Sequence, residues 1–201
     1  LLLYAGLLAD KGLPPDCRDC VAQLTAQAEK LQFLIASLVK AGRLETGAIE
    51  VHPKEASVQA LVSAALREAT PKAAEKGVAL LAPPDTAAAA RFDPKWTQEA
   101  LGNLIDNAVK YTPSGGCITV SVTPYELFCR IDVADTGIGL AEEECGRVFQ
   151  RFYRSPAVRG EQGVGLGLYL AREIAAANGG YIKVASRLGE GSTFSLFLPK
   201  A

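Results

Sequence analysis

Residues 99–111 read Glu99-Ala100-Leu101-Gly102-Asn103-Leu104-Ile105-Asp106-Asn107-Ala108-Val109-Lys110-Tyr111, and the rest of the chain is read outward from them. At about 100° per residue, Leu101, Leu104, Ile105 and Ala108 fall on one side of a helix, while Glu99, Asn103, Asn107 and Lys110 form a narrow stripe on the other. With Asp93-Pro94 as its start, the spacing predicts a helix over about 95–111. Asn is a poor helix former, at ~0.5 kcal/mol per residue, so two of them on one stripe ask for a reason. Carboxamide oxygens suit a hard cation such as Mg²⁺, and a Lys ammonium beside them suits phosphate. The plain alternative is a solvated helix face.

Upstream, Val58, Leu61, Val62, Ala65 and Ala69 keep helical spacing until Thr70-Pro71, where an interruption is expected. A short apolar stretch at 78–81 and a compact Arg91-Phe92-Asp93 follow, the latter read as a strand. Downstream, residues 117–123 and 127–133 alternate with period two around Pro124-Tyr125-Glu126, which predicts an antiparallel hairpin. A helix is expected from about 165 to Asn178, stopped by Gly179-Gly180. A second hairpin is expected from 181–187 and 192–198. Helices and strands segregated in this way indicate an α+β fold, an antiparallel or mixed sheet covered on one face by helices.

The front of the chain differs. A long helix is expected from a capping Asp16, after Pro14 and Pro15, to about Arg43. Val21, Ala28 and Ile35 repeat every seven residues, as do Leu24, Leu31 and Leu38, forming an a/d seam. The expected partner is the apolar run 1–9, returned antiparallel through residues 11–15, and the resulting hairpin is expected to dimerise into a four-helix bundle. Gly42 to Pro53, with Gly47, reads as the linker, so the expected units are 1–46 and 50–201.

Composition bounds the function. The 201 residues carry 21 Lys+Arg against 22 Asp+Glu, a formal charge of −1, which argues against a nucleic acid or an anionic membrane as partner. No apolar stretch approaches the ~20 residues that span a bilayer and no charged leader is present, so a soluble chain without membrane contact is expected. The sequence starts mid-pattern at Leu1 and has no Met, which reads as a piece of a longer protein. Five cysteines, an odd number in a chain of this size, point to a reducing compartment. Cys17 and Cys20 form a C-x-x-C, but neither a second ligand pair nor a βαβ context accompanies it, and two small residues opening a helix is the preferred reading.

Two glycine-rich segments complete the set. Asp135-Thr136-Gly137-Ile138-Gly139 ends a predicted strand, where glycines let backbone approach a flat ligand and a buried carboxylate can accept from an exocyclic amino group. Gly163-Val164-Gly165-Leu166-Gly167-Leu168 runs into a helix, whose N-terminal amides can meet phosphate. No G-x-x-x-x-G-K-[ST] loop is present. Each signal alone is weak, but their order is specific. Asn103-x-x-x-Asn107-x-x-Lys110-Tyr111, Asp135-x-Gly137-x-Gly139, Phe149-Gln150-Arg151-Phe152-Tyr153-Arg154 and Gly163-x-Gly165-x-Gly167-Leu168 closely resemble the N, G1, F and G2 boxes of sensor histidine kinases. The likeness extends to Gly191-Ser192-Thr193-Phe194, and the heptad helix resembles the second helix of that family's dimerisation hairpin.

The resemblance implies a two-layer α/β sandwich of the Bergerat type, preceded by an α-helical hairpin, that binds ATP with Mg²⁺. It implies that Asn107 coordinates Mg²⁺ with Asn103 alongside, that Lys110 contacts phosphate and that Tyr111 packs near the nucleotide. Asp135 would accept from the adenine amino group, Gly137 and Gly139 would shape the wall, and Thr193 would support Asp135 through water. Residues 142–162 would form a mobile lid offering Arg151, Arg154 and Arg159 to the phosphates, with Arg154 favoured. Gly163, Gly165, Leu166 and Gly167 would hinge that lid and present amides. Phe149, Phe152 and Tyr153 read equally as packing aromatics.

Where hydrolytic relatives in the wider superfamily carry a Glu base, this sequence has Asn103, so transfer to a protein acceptor is implied in place of hydrolysis. The family's acceptor is a His in a box that this sequence lacks, expected upstream of Leu1. The sole histidine, His52, stands beside Pro53 in a different context. The implied partners are a second copy through the hairpin and a response-regulator receiver domain, with the whole protein anchored in a bacterial membrane and this part on the cytoplasmic side. An anti-sigma-type serine kinase of the same fold and a non-catalytic dimeric scaffold are the rival readings.

Overall fold

The computed structural model describes residues 14–45, 50–158 and 164–201. The chain divides into two units, Leu1–Arg43 and Leu44–Ala201. In the first, helix α1 spans Pro15–Glu45. It begins one residue before the expected cap. Pro14 supplies the carbonyl that accepts from the Cys17 and Arg18 amides, at 3.0 and 3.1 Å, and Pro15 occupies the first helical position, where a missing N–H is tolerated. Asp16 therefore lies inside the first turn. The seam residues Leu24, Leu31, Ile35 and Leu38 are 67, 56, 62 and 41% exposed, so they face outward along α1. The expected pairing with run 1–9 falls outside the described residues, as do Gly47 and the middle of the expected linker.

In the second unit, β1 (Lys54–Ser57) leads into α2 (Val58–Lys76), followed by β2 (Ala79–Leu81), β3 (Ala89–Phe92) and α3 (Pro94–Tyr111). Next come β4 (Cys117–Pro124), β5 (Phe128–Asp135), the single turn α4 (Glu142–Cys145), α5 (Gly167–Ala177), β6 (Tyr181–Arg187) and β7 (Gly191–Pro199). The main sheet has the order β2-β4-β5-β7-β6, with β2 parallel to β4 and the other pairs antiparallel. The two hairpins expected from sequence are thus neighbours, joined through β5 and β7. Helices α2, α3 and α5 form the second layer, with α3 in contact with both others. The fold is the expected α+β two-layer sandwich.

Two local expectations are corrected. The linker does not begin at Gly42, because α1 continues to Glu45, and directly after Pro53 an unexpected strand, β1, begins at Lys54 and pairs antiparallel with β3. Its sequence, Lys-Glu-Ala-Ser, carries no apolar alternation, and only the tertiary partner makes it a strand. Nor does Thr70-Pro71 end α2, which continues to Lys76. Leu61, Val62, Ala65, Ala69 and Ala73 bury one continuous stripe across the proline, while Pro71 and Arg67 are exposed. The Arg67 carbonyl that loses its helical donor therefore faces water, and burial of the stripe outweighs the local penalty.

The core lies between the layers. Ile118 and Val120 of β4, Cys129, Ile131 and Val133 of β5, and Phe194, Leu196 and Leu198 of β7 meet Leu101, Leu104 and Ile105 of α3 and Leu170 and Ile174 of α5. Helix α3 is fixed at both ends. Asp93 caps it, its Oδ1 accepting from the Lys95 and Trp96 amides at 3.0 and 3.2 Å, with Pro94 at the first position. The Asp93 amide in turn donates to Asn178 Oδ1 at 2.6 Å, and Asn178 Nδ2 donates to the Ile174 carbonyl at 2.8 Å. One buried carboxamide thus ties the end of α5 to the start of α3. At the other end, Lys76 Nζ donates to the Val109 carbonyl at 2.9 Å and to that of Lys110, placing a cation at the negative end of the helix dipole.

Asn178→Ala orphans the buried Asp93 amide and is expected to destabilise the fold by about 2 kcal/mol, against about 1 kcal/mol for loss of the Asp93 cap in Asp93→Ala. Urea unfolding of the two variants checks the order. An Asn178→Ala variant as stable as the parent would show that the buried bridge contributes nothing.

Candidate nucleotide site

Sheet register places the carboxylate. Asp135, the last residue of β5, lies opposite Ile118 on one side and Ser192 on the other, and Ser192 lies opposite Ser186. One step along the strands, the corresponding row is Val120, Val133, Phe194 and Val184, which is apolar. Asp135 therefore stands where the helix-covered face of the sheet turns from core to polar. Its Oδ1 accepts from the Gly137 amide at 2.8 Å, and the Ser192 amide also donates to the carboxylate. Burial nevertheless pushes the Asp135 carboxyl above the ordinary Asp range, the two amides opposing the shift only in part. A carboxylate has room for about four donors, so two amides leave acceptor capacity for a ligand amino group.

The same register corrects one expectation. Thr193 lies opposite Ala134, and side chains alternate along a strand, so Thr193 is on the sheet face away from Asp135. Ser192 takes the place assigned to it. Its hydroxyl is 2.9 Å from Ser186 Oγ, which also accepts from the Leu140 amide at 2.8 Å and donates to the Gly191 carbonyl at 2.8 Å. These serines anchor the loop that follows Asp135. Sequence reading missed them because β5 and β7 are paired across more than fifty residues.

Glycines are required where backbones meet. A Cβ at Gly139 (φ +66°) would lie 2.0 Å from the Arg187 carbonyl oxygen, and one at Gly191 (φ +103°) 2.0 Å from that of Asp135. At Gly137 it would lie 2.6 Å from both Asp135 Oδ1 and the Tyr111 carbonyl oxygen, and the Ile138 amide donates to that carbonyl at 3.3 Å. The end of α3 and the loop after Asp135 are therefore in direct contact.

Along α3, Asn103, Asn107 and Lys110 are half-buried on one stripe. Lys110 Nζ sits 4.8 Å from the centre of the Tyr111 ring. The first residue of α5, Gly167, faces the other end of this stripe, where a Cβ would come 3.2 Å from Asn103 Oδ1. Leu166 is buried, so its backbone is what it can offer a ligand. At Gly165 (φ +74°) a Cβ would lie 2.5 Å from the Tyr153 carbonyl oxygen, and the Gly165 carbonyl accepts from the Phe152 amide at 2.9 Å. Gly163 and Arg159 lie outside the described residues.

The aromatic segment splits by role. Phe149 is buried edge-on against Phe194, ring centres 6.2 Å apart. Phe152 is 53% exposed and, at φ +61°, is the one non-glycine with positive φ among the described residues. Tyr153 Oη donates to Glu144 Oε1 at 3.0 Å. Arg151 Nη2 donates to Tyr169 Oη at 3.1 Å, and Arg154 Nη2 donates to the Val158 carbonyl at 2.7 Å.

The four segments thus line one wall along α3: a half-buried carboxylate with spare acceptor capacity, its glycine loop and Lys110 at the C-terminal end, Asn107 between, and Asn103 with the N-terminus of α5 at the other. That donor set fits a purine nucleotide, and the carboxamide oxygen of Asn107 is of the kind a hard cation takes. Gly139→Ala and Gly191→Ala combine strained φ with backbone overlap, and each is expected to cost about 2 kcal/mol or more in thermal or urea unfolding. A melting point equal to the parent's would contradict the close approach.

The family described as histidine kinase-, DNA gyrase B-, and HSP90-like ATPase matches residues 92–201. The sensor protein SrrB of Staphylococcus aureus is 31% identical over 189 residues, 93% of this chain and 32% of SrrB, so the chain spans about a third of the length of the curated relatives it matches. Among solved structures, full-length ShkA in complex with AMPPNP superimposes with a TM-score of 0.85 at 28% identity, covering 100% of this chain and 42% of that one. The Acinetobacter baumannii histidine kinase AdeS shares the fold, with a TM-score of 0.75 at 20% identity over 99% of this chain and 93% of its own. By these matches and the wall just described, the chain belongs to the histidine kinase-, DNA gyrase B-, and HSP90-like ATPases, as an ATPase domain of the sensor histidine kinase type.

Proposed function

We propose that this chain binds ATP with Mg²⁺ and delivers the γ-phosphoryl group to a histidine outside these 201 residues, for relay to a response-regulator aspartate. The observation that carries this reading is the placement of Asp135 and Gly167 against the two ends of the α3 stripe. Asp135 accepts from the adenine amino group. Gly137 and Gly139 let the loop that shapes the wall beside the base pack against Tyr111 and Arg187, with Tyr111 beside the base, and Lys110, Arg154 and the amides of Gly163, Gly165, Leu166 and Gly167 face the phosphates. Asn107 is the Mg²⁺ ligand, with Asn103 alongside; the ion would neutralise phosphate charge as it develops.

A carboxamide at Asn103 cannot take a proton from water, which favours attack by an imidazole nitrogen over hydrolysis. That nitrogen bonds the γ-phosphorus as the bond to the β,γ-bridging oxygen breaks and ADP leaves. The phosphoryl group then passes to the regulator's carboxylate. His52 is exposed, 3.6 Å from the Glu50 carboxylate, and stands beside Pro53 without the sequence context of the family's acceptor box. The outward seam of α1 (Leu24, Leu31, Leu38) is the surface we assign to a second copy and to the dimeric four-helix bundle. No helix among the described residues is long and apolar enough to cross a membrane, and we place the domain on the cytoplasmic side of a membrane-anchored sensor protein.

ATP is expected to raise the melting temperature only weakly without Mg²⁺ and by several degrees with it, and Asn107→Ala to abolish the Mg²⁺-dependent part. No stabilisation by ATP under either condition would sink the reading. Unchanged affinity in Asn107→Ala and Gly165→Ala would favour a non-catalytic scaffold. Incubation with γ-labelled ATP is expected to leave this chain unlabelled, and acid-labile label on it would contradict an external acceptor.

The raised Asp135 carboxyl gives a signed prediction. Between the ordinary Asp range and its raised value the folded state holds a proton that the unfolded state has lost, so its contribution to stability falls as pH rises through that window. Asp135→Asn is expected to weaken ATP binding at least about ten-fold while leaving the unliganded protein as stable as the parent, or more so, at neutral pH. Calorimetric titration and melting curves of the same samples separate the two effects.

A further inference from the structure

The segment that carries Arg154 is held by a residue to which no role has been assigned. Glu144, in α4, is buried. Its Oε2 accepts from the Ala141 amide at 3.2 Å, its Oε1 accepts from Tyr153 Oη at 3.0 Å, and the Ser155 hydroxyl also donates to it. The Ser155 bond is the largest influence holding the Glu144 carboxyl below the usual Glu range, with the Ala141 amide, the Tyr153 hydroxyl and the Arg147 charge adding to it against burial. Arg147 also lies over the Tyr153 ring, 4.7 Å from its centre.

Tyr153 and Ser155 are the two neighbours of Arg154, and both are turned to the same carboxylate. The residue between them is turned elsewhere, and Arg154 reaches the Val158 carbonyl at 2.7 Å. On its other flank the segment is pinned by the Phe152 amide to the Gly165 carbonyl at 2.9 Å. Glu144 itself follows directly on the loop anchored by Leu140 to Ser186. One carboxylate therefore connects the loop beside Asp135 to the segment that abuts the phosphate-side glycines.

We propose that Glu144 is a positioning residue for phosphate recognition: by fixing Tyr153 and Ser155 it sets the side from which Arg154 meets the phosphates. The inference rests on the reading that Arg154 contacts phosphate, and the experiment separates the two. Affinities of the full chain for ATP·Mg²⁺ and for adenosine are measured in Arg154→Ala, Glu144→Gln and the double variant. Should Glu144→Gln fail to fold, Tyr153→Phe/Ser155→Ala, which keeps the carboxylate, replaces it.

The expected result is a loss of about ten-fold for ATP in Arg154→Ala and about five-fold in Glu144→Gln, with adenosine unchanged in both. The double variant binds ATP no more weakly than Arg154→Ala alone, because a positioning residue has nothing left to position. A loss in Arg154→Ala without one in Glu144→Gln or its replacement overturns the inference alone. Equal losses for ATP and adenosine in the Glu144 variant overturn it as well, since a merely structural role weakens both. Unchanged ATP affinity in Arg154→Ala overturns the assignment of Arg154 and the inference with it.

Discussion

A half-buried carboxylate at the boundary of the core constrains everything around it. Asp135 is one step beyond the apolar row Val120, Val133, Phe194 and Val184, and an ionised group there is tolerable only with donors in place. The donors are the backbone amides of Gly137 and Ser192. Bringing both to one carboxylate sets the loop after β5 against the end of α3, the end of β6 and the start of β7, where Gly137, Gly139 and Gly191 have no space for a Cβ. Close approach and satisfied hydrogen bonds are one arrangement.

Helix α3 transmits that arrangement to the opposite end of the wall. Its apolar side is fully buried in the core, so its polar stripe cannot rotate away. Asp93 and Asn178 fix its start to α5, and Lys76 fixes its end from α2. The same helix therefore presents Tyr111 to the loop beside Asp135 and Asn103 to Gly167. The groups we assign to the base and to the phosphates therefore sit on one rigid element, as a site that must hold a flexible polyphosphate in a reactive pose demands.

Much of this was legible locally. The 3.6-residue period of 95–111 and the two-residue period of 117–123, 127–133, 181–187 and 192–198 identify elements whose burial follows from their own pattern. Strand β1 escaped because Lys54-Glu55-Ala56-Ser57 has no alternation and owes its structure to β3. Pro71 misled because its penalty is local while the stripe burial that overrides it is tertiary. Thr193 was placed one residue off because only the pairing of β5 with β7 decides which of two adjacent hydroxyl residues shares a face with Asp135. Glu144 stood in a run of three glutamates, Glu142-Glu143-Glu144, and nothing in the run distinguishes the one that turns inward to Tyr153 and Ser155.

The sequence by itself determined the fold class, the helix that carries the carboxamides and the glycines that a ligand or a backbone would need, because hydrophobic period and glycine spacing act over a few residues. Tertiary structure decided which groups meet: Ser192 with Asp135, Gly167 with Asn103, Glu144 with the neighbours of Arg154. Those meetings depend on strand order and helix docking, which join residues tens of positions apart through shared burial.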